Sequence, residues 1–329
     1  MSPWLRFLSG CCALVGATAW AAAEDGLVQL SNDVYLLPGR FAPGAQPDGN
    51  SVLLAGDTGW IVFDSGRHPA HAQRILDFVA DDLSRIEAIV NSHWHLDHVG
   101  GNARIRTRFP DARVYASPGT EHALGTWLAN YRKQLAAMVE DPKTPAAERE
   151  KYRLDMGLID LGEQLHPSVP ITGTRNWRIA GRQVRIGLET DAVTEGDLWL
   201  YDRGSRVLAG GDLVTLPVPF FDTACPARWS SALAGLEDMP FVRLVPGHGP
   251  ALTRDDFTRY RHAFDGLLAC AASEQTPAQC ADEWIAHTAE FYPETEHARV
   301  REMLDYYFSQ HLRAEPAQRD RFCPAAAAG

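Results

Sequence analysis

The segment Ile86-Glu87-Ala88-Ile89-Val90-Asn91-Ser92-His93-Trp94-His95-Leu96-Asp97-His98-Val99-Gly100-Gly101 decides how this chain is read. Its first part is a short run rich in Ile, Ala and Val, the composition of a buried strand. Directly after it, three His and one Asp fall within six residues, and all four are metal-ligand types. On an extended backbone residues i and i+2 point the same way, so His93 and His95 can grip one ion. Asp97 and His98 follow a turn and can face a second ion nearby. Gly100-Gly101 permit close backbone approach before the next helix.

Outward from this segment, strand and turn punctuation repeats. Val34–Leu37, Ser51–Leu54 and Trp60–Phe63 are short apolar runs separated by Pro, Gly and Asp. The helical spacing of Ile75, Leu76, Val79 and Leu83 predicts a helix over His71–Leu83, and further helices are predicted over Asn102–Phe109 and Ala227–Leu236. Strands are predicted at Ala112–Ala116, Trp177–Ile179, Val184–Gly187, Leu198–Tyr201, Arg206–Ala209 and Val242–Val245. Residues 119–161 break the strand rhythm and read as two amphipathic helices interrupted at Asp141-Pro142-Lys143-Thr144-Pro145. After Thr253 the pattern is helical. Two β-rich halves carrying helices define one α/β unit with a helical insertion and a helical C-terminus.

The chain has 329 residues, 45% hydrophobic and 22% charged, which excludes a mainly disordered or collagen-like protein. Its formal charge of −11, with no offsetting basic run, argues against nucleic acid as a partner. A small-molecule substrate is expected instead. Residues 1–23 read as a signal peptide: Arg6, an apolar stretch Leu8–Ala23, an Ala-x-Ala exit, then Glu24-Asp25. The apolar stretch is shorter than the roughly 20 residues that a membrane span needs. The expected compartment is therefore periplasmic or extracellular, with residues 24–329 as one domain and no stable membrane span. Cys225, Cys270, Cys280 and Cys323 remain in that mature chain, and three pairings are open. Cys270 and Cys280 flank a turn between two helices, which favours that local bridge and leaves Cys225 to Cys323. Free buried thiols are the alternative.

The His-x-His-x-Asp-His run resembles the signature of the metallo-β-lactamase superfamily, whose fold is an αββα sandwich with metals at the sheet edges. Other pieces recur in the family's order over about residues 30–255. Asp64-Ser65-Gly66 resembles the strand-end motif whose Asp orients the site. Gly211-Asp212 resembles the strand end with the metal-bridging Asp, and Pro246-Gly247-His248-Gly249 the turn that supplies a last His. The resemblance implies a metal set of His93, His95, Asp97, His98, Asp212 and His248, holding one or two Zn2+ per chain. With a core at about 30–255, the pattern puts the helical insertion at about 119–161 and the C-terminal helices at about 256–312.

One position departs from the family. Where a His-Thr-x-Gly-Asp-Leu motif is usual, this chain reads Val193-Thr194-Glu195-Gly196-Asp197-Leu198, and Val cannot bind zinc. The second site keeps Asp97, His98, Asp212 and His248, whereas the first keeps only His93, His95 and the bridging Asp212. Three outcomes follow: a nearby Asp191, Glu189 or His68 completes the first site, one metal is held, or catalysis is lost.

The expected chemistry is hydrolysis by a metal-bound hydroxide attacking an ester, thioester, lactone or amide carbonyl, with Asp97 and Asp212 as the catalytic carboxylates. By the same resemblance, true metallo-β-lactamases carry Cys or Ser at the position of Asp212, which favours an ester, thioester or lactone over a β-lactam. A β-lactamase proper and a non-catalytic periplasmic metal-binding or accessory protein are the alternatives. His71 is expected at a helix start facing water, and His122 is read as an ordinary surface or core histidine. Leu216–Phe221 is read either as a pocket wall or as a loop packed on the C-terminal helices.

Overall fold

A computed structural model describes residues 26–41, 46–80 and 85–324. The expected signal peptide, residues 1–23, lies outside the described residues. The first sheet has the order β1 (Val28–Ser31), β2 (Val34–Leu37), β3 (Ser51–Ala55), β4 (Gly59–Phe63), β5 (Arg85–Val90), β6 (Arg113–Ala116) and β7 (Val169–Pro170). It is antiparallel up to β4 and parallel from β4 to β7. The second sheet has β8 (Arg175–Ile179), β9 (Arg182–Thr190), β10 (Gly196–Asp202), β11 (Val207–Thr215) and β12 (Arg243–His248), with only β11 and β12 parallel.

Side-chain alternation divides these strands between three layers. Val52, Leu54, Ile61, Phe63 and Val90 of the first sheet meet Val184, Ile186, Leu198, Leu200 and Val245 of the second in a dry core. The opposite faces bury Leu53, Val62 and Ile89 under α1 (Pro69–Val79) and α3 (Asn102–Arg108). A short α2 (Leu96–Val99) precedes α3 and carries Asp97 and His98. On the second sheet, Trp199 and Leu208 pack under α7 (Pro226–Glu237), α8 (Arg254–Ala271), α9 (Pro277–Thr288) and α10 (His297–Tyr307). The architecture is the αββα sandwich with added C-terminal helices.

The insertion comprises three helices rather than two: α4 (Pro118–Gly125), α5 (Trp127–Glu140) and α6 (Ala146–Ile159). The break at 141–145 is present, and a second falls at Thr126, whose φ of −121° and ψ of −83° leave the helical region. Leu128, Leu135 and Leu158 close over Trp94, Leu96 and Val99, so the insertion is packed onto the outer side of the histidine loop. The C-terminal helices are held by Cys225–Cys323 and Cys270–Cys280, the pairing favoured above. A last short helix, α11 (Pro316–Arg319), leads to Cys323. Leu216, Val218 and Phe221 are buried in the cluster formed with these helices, and Trp284 Nε1 donates to Pro217 O at 2.8 Å. That segment is packed as a loop on the helices, with Phe220 left 40% exposed. No described helix is long and apolar enough to cross a membrane.

Candidate metal centre

The site forms beside the C-terminal parts of two parallel strand pairs, β4 with β5 and β11 with β12. β4 delivers Asp64, β5 leads into the histidine loop, β11 carries Asp212, and β12 ends on His248. Asp64 has a φ of +60°, a left-handed backbone that costs on the order of 1–2 kcal/mol for a residue with a Cβ. Its amide is held by Val90 O at 2.9 Å. Its carboxylate accepts from Ser92 N at 2.7 Å, Ser92 Oγ at 2.7 Å and His98 Nδ1 at 2.8 Å.

These bonds set the tautomers of two histidines. Ser92 Oγ has one proton; donating it to Asp64 leaves the oxygen to accept from His93 Nδ1, 2.8 Å away. His98 Nδ1–H donates to Asp64 directly. In both rings the Nε2 lone pair then faces inward. His98 Nε2 lies 3.3 Å from Asp212 Oδ1, and His93 Nε2 lies 3.7 Å from Asp212 Oδ2. His248 Nε2 sits 3.1 Å from Asp97 Oδ2 and 3.6 Å from Asp212 Oδ1. Ligand atoms of His93, His98 and Asp212 form one close group, and those of Asp97, His98 and His248 another.

His93 Nε2, His98 Nε2 and Asp212 Oδ1 are buried without a hydrogen-bond partner. A buried polar atom without a partner costs about 1–3 kcal/mol, so three pointing together mark a place for a cation. The residues fit a divalent ion of the zinc type, which takes imidazole nitrogen and carboxylate oxygen. Electrostatics agree. Burial alone would lower the His98 imidazole, but Asp212, Asp64 and Asp97 around it hold it well above its usual range. Burial likewise opposes ionisation of Asp212, yet His98 and His248 keep its carboxyl well below the carboxylate range.

His95 stands apart. Its Nε2 faces Thr223 Oγ1 at 3.3 Å, and that hydroxyl donates to Val193 O at 2.9 Å. Val193 is 0% exposed and packs with the C-terminal helices. Among the described residues, neither close group of ligand atoms includes any of the three expected substitutes for the missing ligand. Glu189 accepts from Trp199 Nε1 at 2.9 Å, and His68 Nδ1 lies 3.1 Å from Asp48 Oδ2. Asp191, with its φ of +57°, is placed beside Arg228 and Glu195.

Several contributors were not visible as motifs. Gly49 N donates to Asp97 O at 2.9 Å, and a Cβ on Gly49 would lie 2.5 Å from the His98 ring. Asn50 Nδ2 donates to Pro246 O and Gly249 O, both at 2.9 Å, and thereby clamps the turn that presents His248. A Cβ on Gly247 would overlap Asp212 Oδ1. The only signal in the sequence was the turn-like Pro47-Asp48-Gly49-Asn50. His71 is also corrected: it is buried, not water-facing, and its Nε2 lies 2.8 Å from Ser51 Oγ. His122 is exposed and paired with Glu195 at 2.5 Å.

The family model described as the metallo-beta-lactamase superfamily matches residues 46–248. This chain belongs to that superfamily, whose members are metal-dependent hydrolases. Among solved structures, a metallo-beta-lactamase from Pontibacter korlensis is 18% identical with a TM-score of 0.53, over 73% of this chain and 98% of that one. The stereoselective inverting sec-alkylsulfatase Pisa1 from Pseudomonas sp. is 20% identical with a TM-score of 0.57, over 79% of this chain and 45% of that one. Both likenesses are of fold. A hydroxyacylglutathione hydrolase from Synechococcus sp. is 47% identical over 49 residues, which are 15% of this chain and 19% of that protein. The chain thus spans about a fifth of the length of such curated relatives.

Proposed function

We propose that this protein is an exported, metal-dependent hydrolase of an ester, thioester or lactone, with His93, His98, Asp97, Asp212 and His248 as its metal ligands. The observation that carries the reading is the set of three partnerless buried atoms, His93 Nε2, His98 Nε2 and Asp212 Oδ1, aimed at one another. When bound, a zinc-type ion supplies Lewis-acid polarisation and lowers the pKa of a coordinated water toward about 7.

The chain's own residues do the remaining work. Asp64 and Ser92 hold the Nδ1 side of both rings before any ligand arrives, so each Nε2 is already turned toward the ligand cluster. Asp212 faces both groups of candidate ligands, His93 on one side and His98 with His248 on the other. Asp97 Oδ2 lies beside His248, where it can take up and pass on a proton. A carboxylate at 212, and the short likeness to proteins named hydroxyacylglutathione hydrolases, support an ester, thioester or lactone over a β-lactam. Two disulfides suit an oxidising compartment, which supports export with removal of residues 1–23.

A second reading, a metal-binding accessory protein without catalysis, is favoured by one observation: His95 is bonded to Thr223 while Val193 fills the place of a ligand. Metal analysis of the mature protein with a panel of lactone, thioester, alkyl sulfate, phosphodiester and β-lactam substrates separates the two. Metal-dependent turnover of an acyl substrate supports the hydrolase. One tightly held metal with no turnover on any panel member supports the accessory protein.

A further inference from the structure

Asp155 belongs to none of the family's motifs, and it lies on α6 of the insertion, yet it reaches the metal centre through one side chain. Arg67, the residue after Asp64-Ser65-Gly66, is buried between two carboxylates. Its Nη1 lies 2.5 Å from Asp155 Oδ1, and its Nη2 lies 3.5 Å from Asp97 Oδ1. The guanidinium is fixed on a third side, where Nε donates to Pro47 O at 3.3 Å, and the Arg67 amide donates to Asp48 Oδ1 at 2.7 Å. Asp155 is 0% exposed, and its second oxygen accepts from Tyr131 OH of α5 at 3.3 Å.

We infer that Asp155 is a positioning residue that orients the Asp97 carboxylate through Arg67. This rests on the metal-centre reading and deepens it. The two oxygens of Asp97 are divided: Oδ1 faces Arg67, while Oδ2 faces His248 at 3.1 Å and His98 at 3.7 Å. That division holds only while Arg67 is claimed more strongly by Asp155 than by Asp97, as 2.5 Å against 3.5 Å indicates. With Asp155 neutral, the guanidinium keeps a single carboxylate partner. It then closes on Asp97, drawing the carboxylate from the ligand cluster and cancelling the charge that attracts a cation. Apolar packing alone would join the insertion to the histidine loop, since Trp94, Leu96 and Val99 already meet Leu128, Leu135 and Leu158. The buried ion pair adds orientation to that packing.

The test is zinc affinity of the mature protein, read by competition with a chromophoric chelator, alongside the visible spectrum of the Co2+-substituted form and the melting temperature. Asp155→Asn is expected to weaken binding of the tightest ion about 10–100-fold and to alter the Co2+ spectrum. Asp155→Glu is expected to recover most of the affinity. Asp160→Asn, which removes an exposed partner of Arg132 in the same insertion, is expected to match wild type. Should Asp155→Asn fail to fold, Arg67→Lys, which keeps the charge but loses the fork, is expected to weaken binding at least tenfold. Wild-type zinc affinity and Co2+ spectrum in Asp155→Asn, or in a folded Arg67→Lys, would overturn the inference even if the melting temperature fell. A wild-type protein that binds no zinc would instead overturn the metal-centre reading beneath it.

Discussion

Asp64 and His98 are joined by a 2.8 Å bond from Nδ1 to Oδ2, and the same oxygen receives the Ser92 hydroxyl that also lies 2.8 Å from His93 Nδ1. One carboxylate therefore sets which nitrogen of each ring is free. In Asp64→Asn the amide that replaces Oδ2 presents N–H toward His98 and turns its proton to Nε2. Metal affinity is expected to fall about 10–100-fold, measured by chelator competition, with NMR of the ring nitrogens reporting the changed tautomer. Unchanged affinity would sever Asp64 from the site.

Proton and cation compete for the space beside His98. Burial disfavours its charged form, but Asp212, Asp64 and Asp97 raise the imidazole well above its usual range in the metal-free protein. That proton stabilises the metal-free fold below the unfolded pKa of about 6.5, and the stabilisation fades as pH rises through the folded-state pKa. Metal uptake must displace the proton. Affinity is thus expected to weaken about tenfold for each unit by which pH drops below that folded-state pKa. Titration calorimetry in buffers of different ionisation enthalpy counts the released proton, and a count of zero contradicts the account.

His71 acts in the opposite direction. Burial lowers its imidazole to about 4, despite the opposing charge of Asp48. Below the unfolded pKa of about 6.5 the unfolded chain binds a proton that the folded chain refuses, so stability declines as pH falls toward 4. The decline is about 3 kcal/mol. Denaturant midpoints across this window should flatten in His71→Gln, and an equally steep variant would place the dependence elsewhere.

The Cys225–Cys323 bridge ties the chain end to the start of α7, across a sequence separation of 98. Cys225 N also donates to Ala192 O at 2.9 Å, next to Val193. Loss of this bridge in Cys323→Ser, with Cys270–Cys280 intact, is expected to cost about 2–4 kcal/mol of stability. Equilibrium unfolding of Cys323→Ser against wild type, both without reductant, measures it; a shift under 0.5 kcal/mol, within ordinary surface variation, would mean that the bridge constrains little.

What could be read from the sequence was local. His93 to His98 closely follow a strand, Asp64 and His248 sit at strand ends, and Asp212 follows Gly210-Gly211 within β11, so motif order alone picked them out. The Cys270–Cys280 bridge was legible because a turn separates its partners. Contacts between distant segments left no such trace. Asn50 meets Gly249 across 199 residues, and Arg67 meets Asp155 across 88. His71 was expected to face water because it stands at a helix start, yet Gly66, with a φ of +75° and no Cβ, leaves room for the ring inside. β11 was expected to end near Ala209, but it continues to Thr215: Gly211 takes a φ of +53° against Ser92, and the bare Cα of Gly247 lets β12 approach Asp212. The place of Thr223 beside His95 depends on the fold of a loop, which no spacing encodes.

Anomalous diffraction at the zinc absorption edge, from crystals of the mature protein loaded with zinc, bears most directly on the central claim. The account expects a peak within bonding distance of His98 Nε2, bounded by Asp97, Asp212 and His248. Full zinc loading in solution with no anomalous peak among these side chains would contradict it.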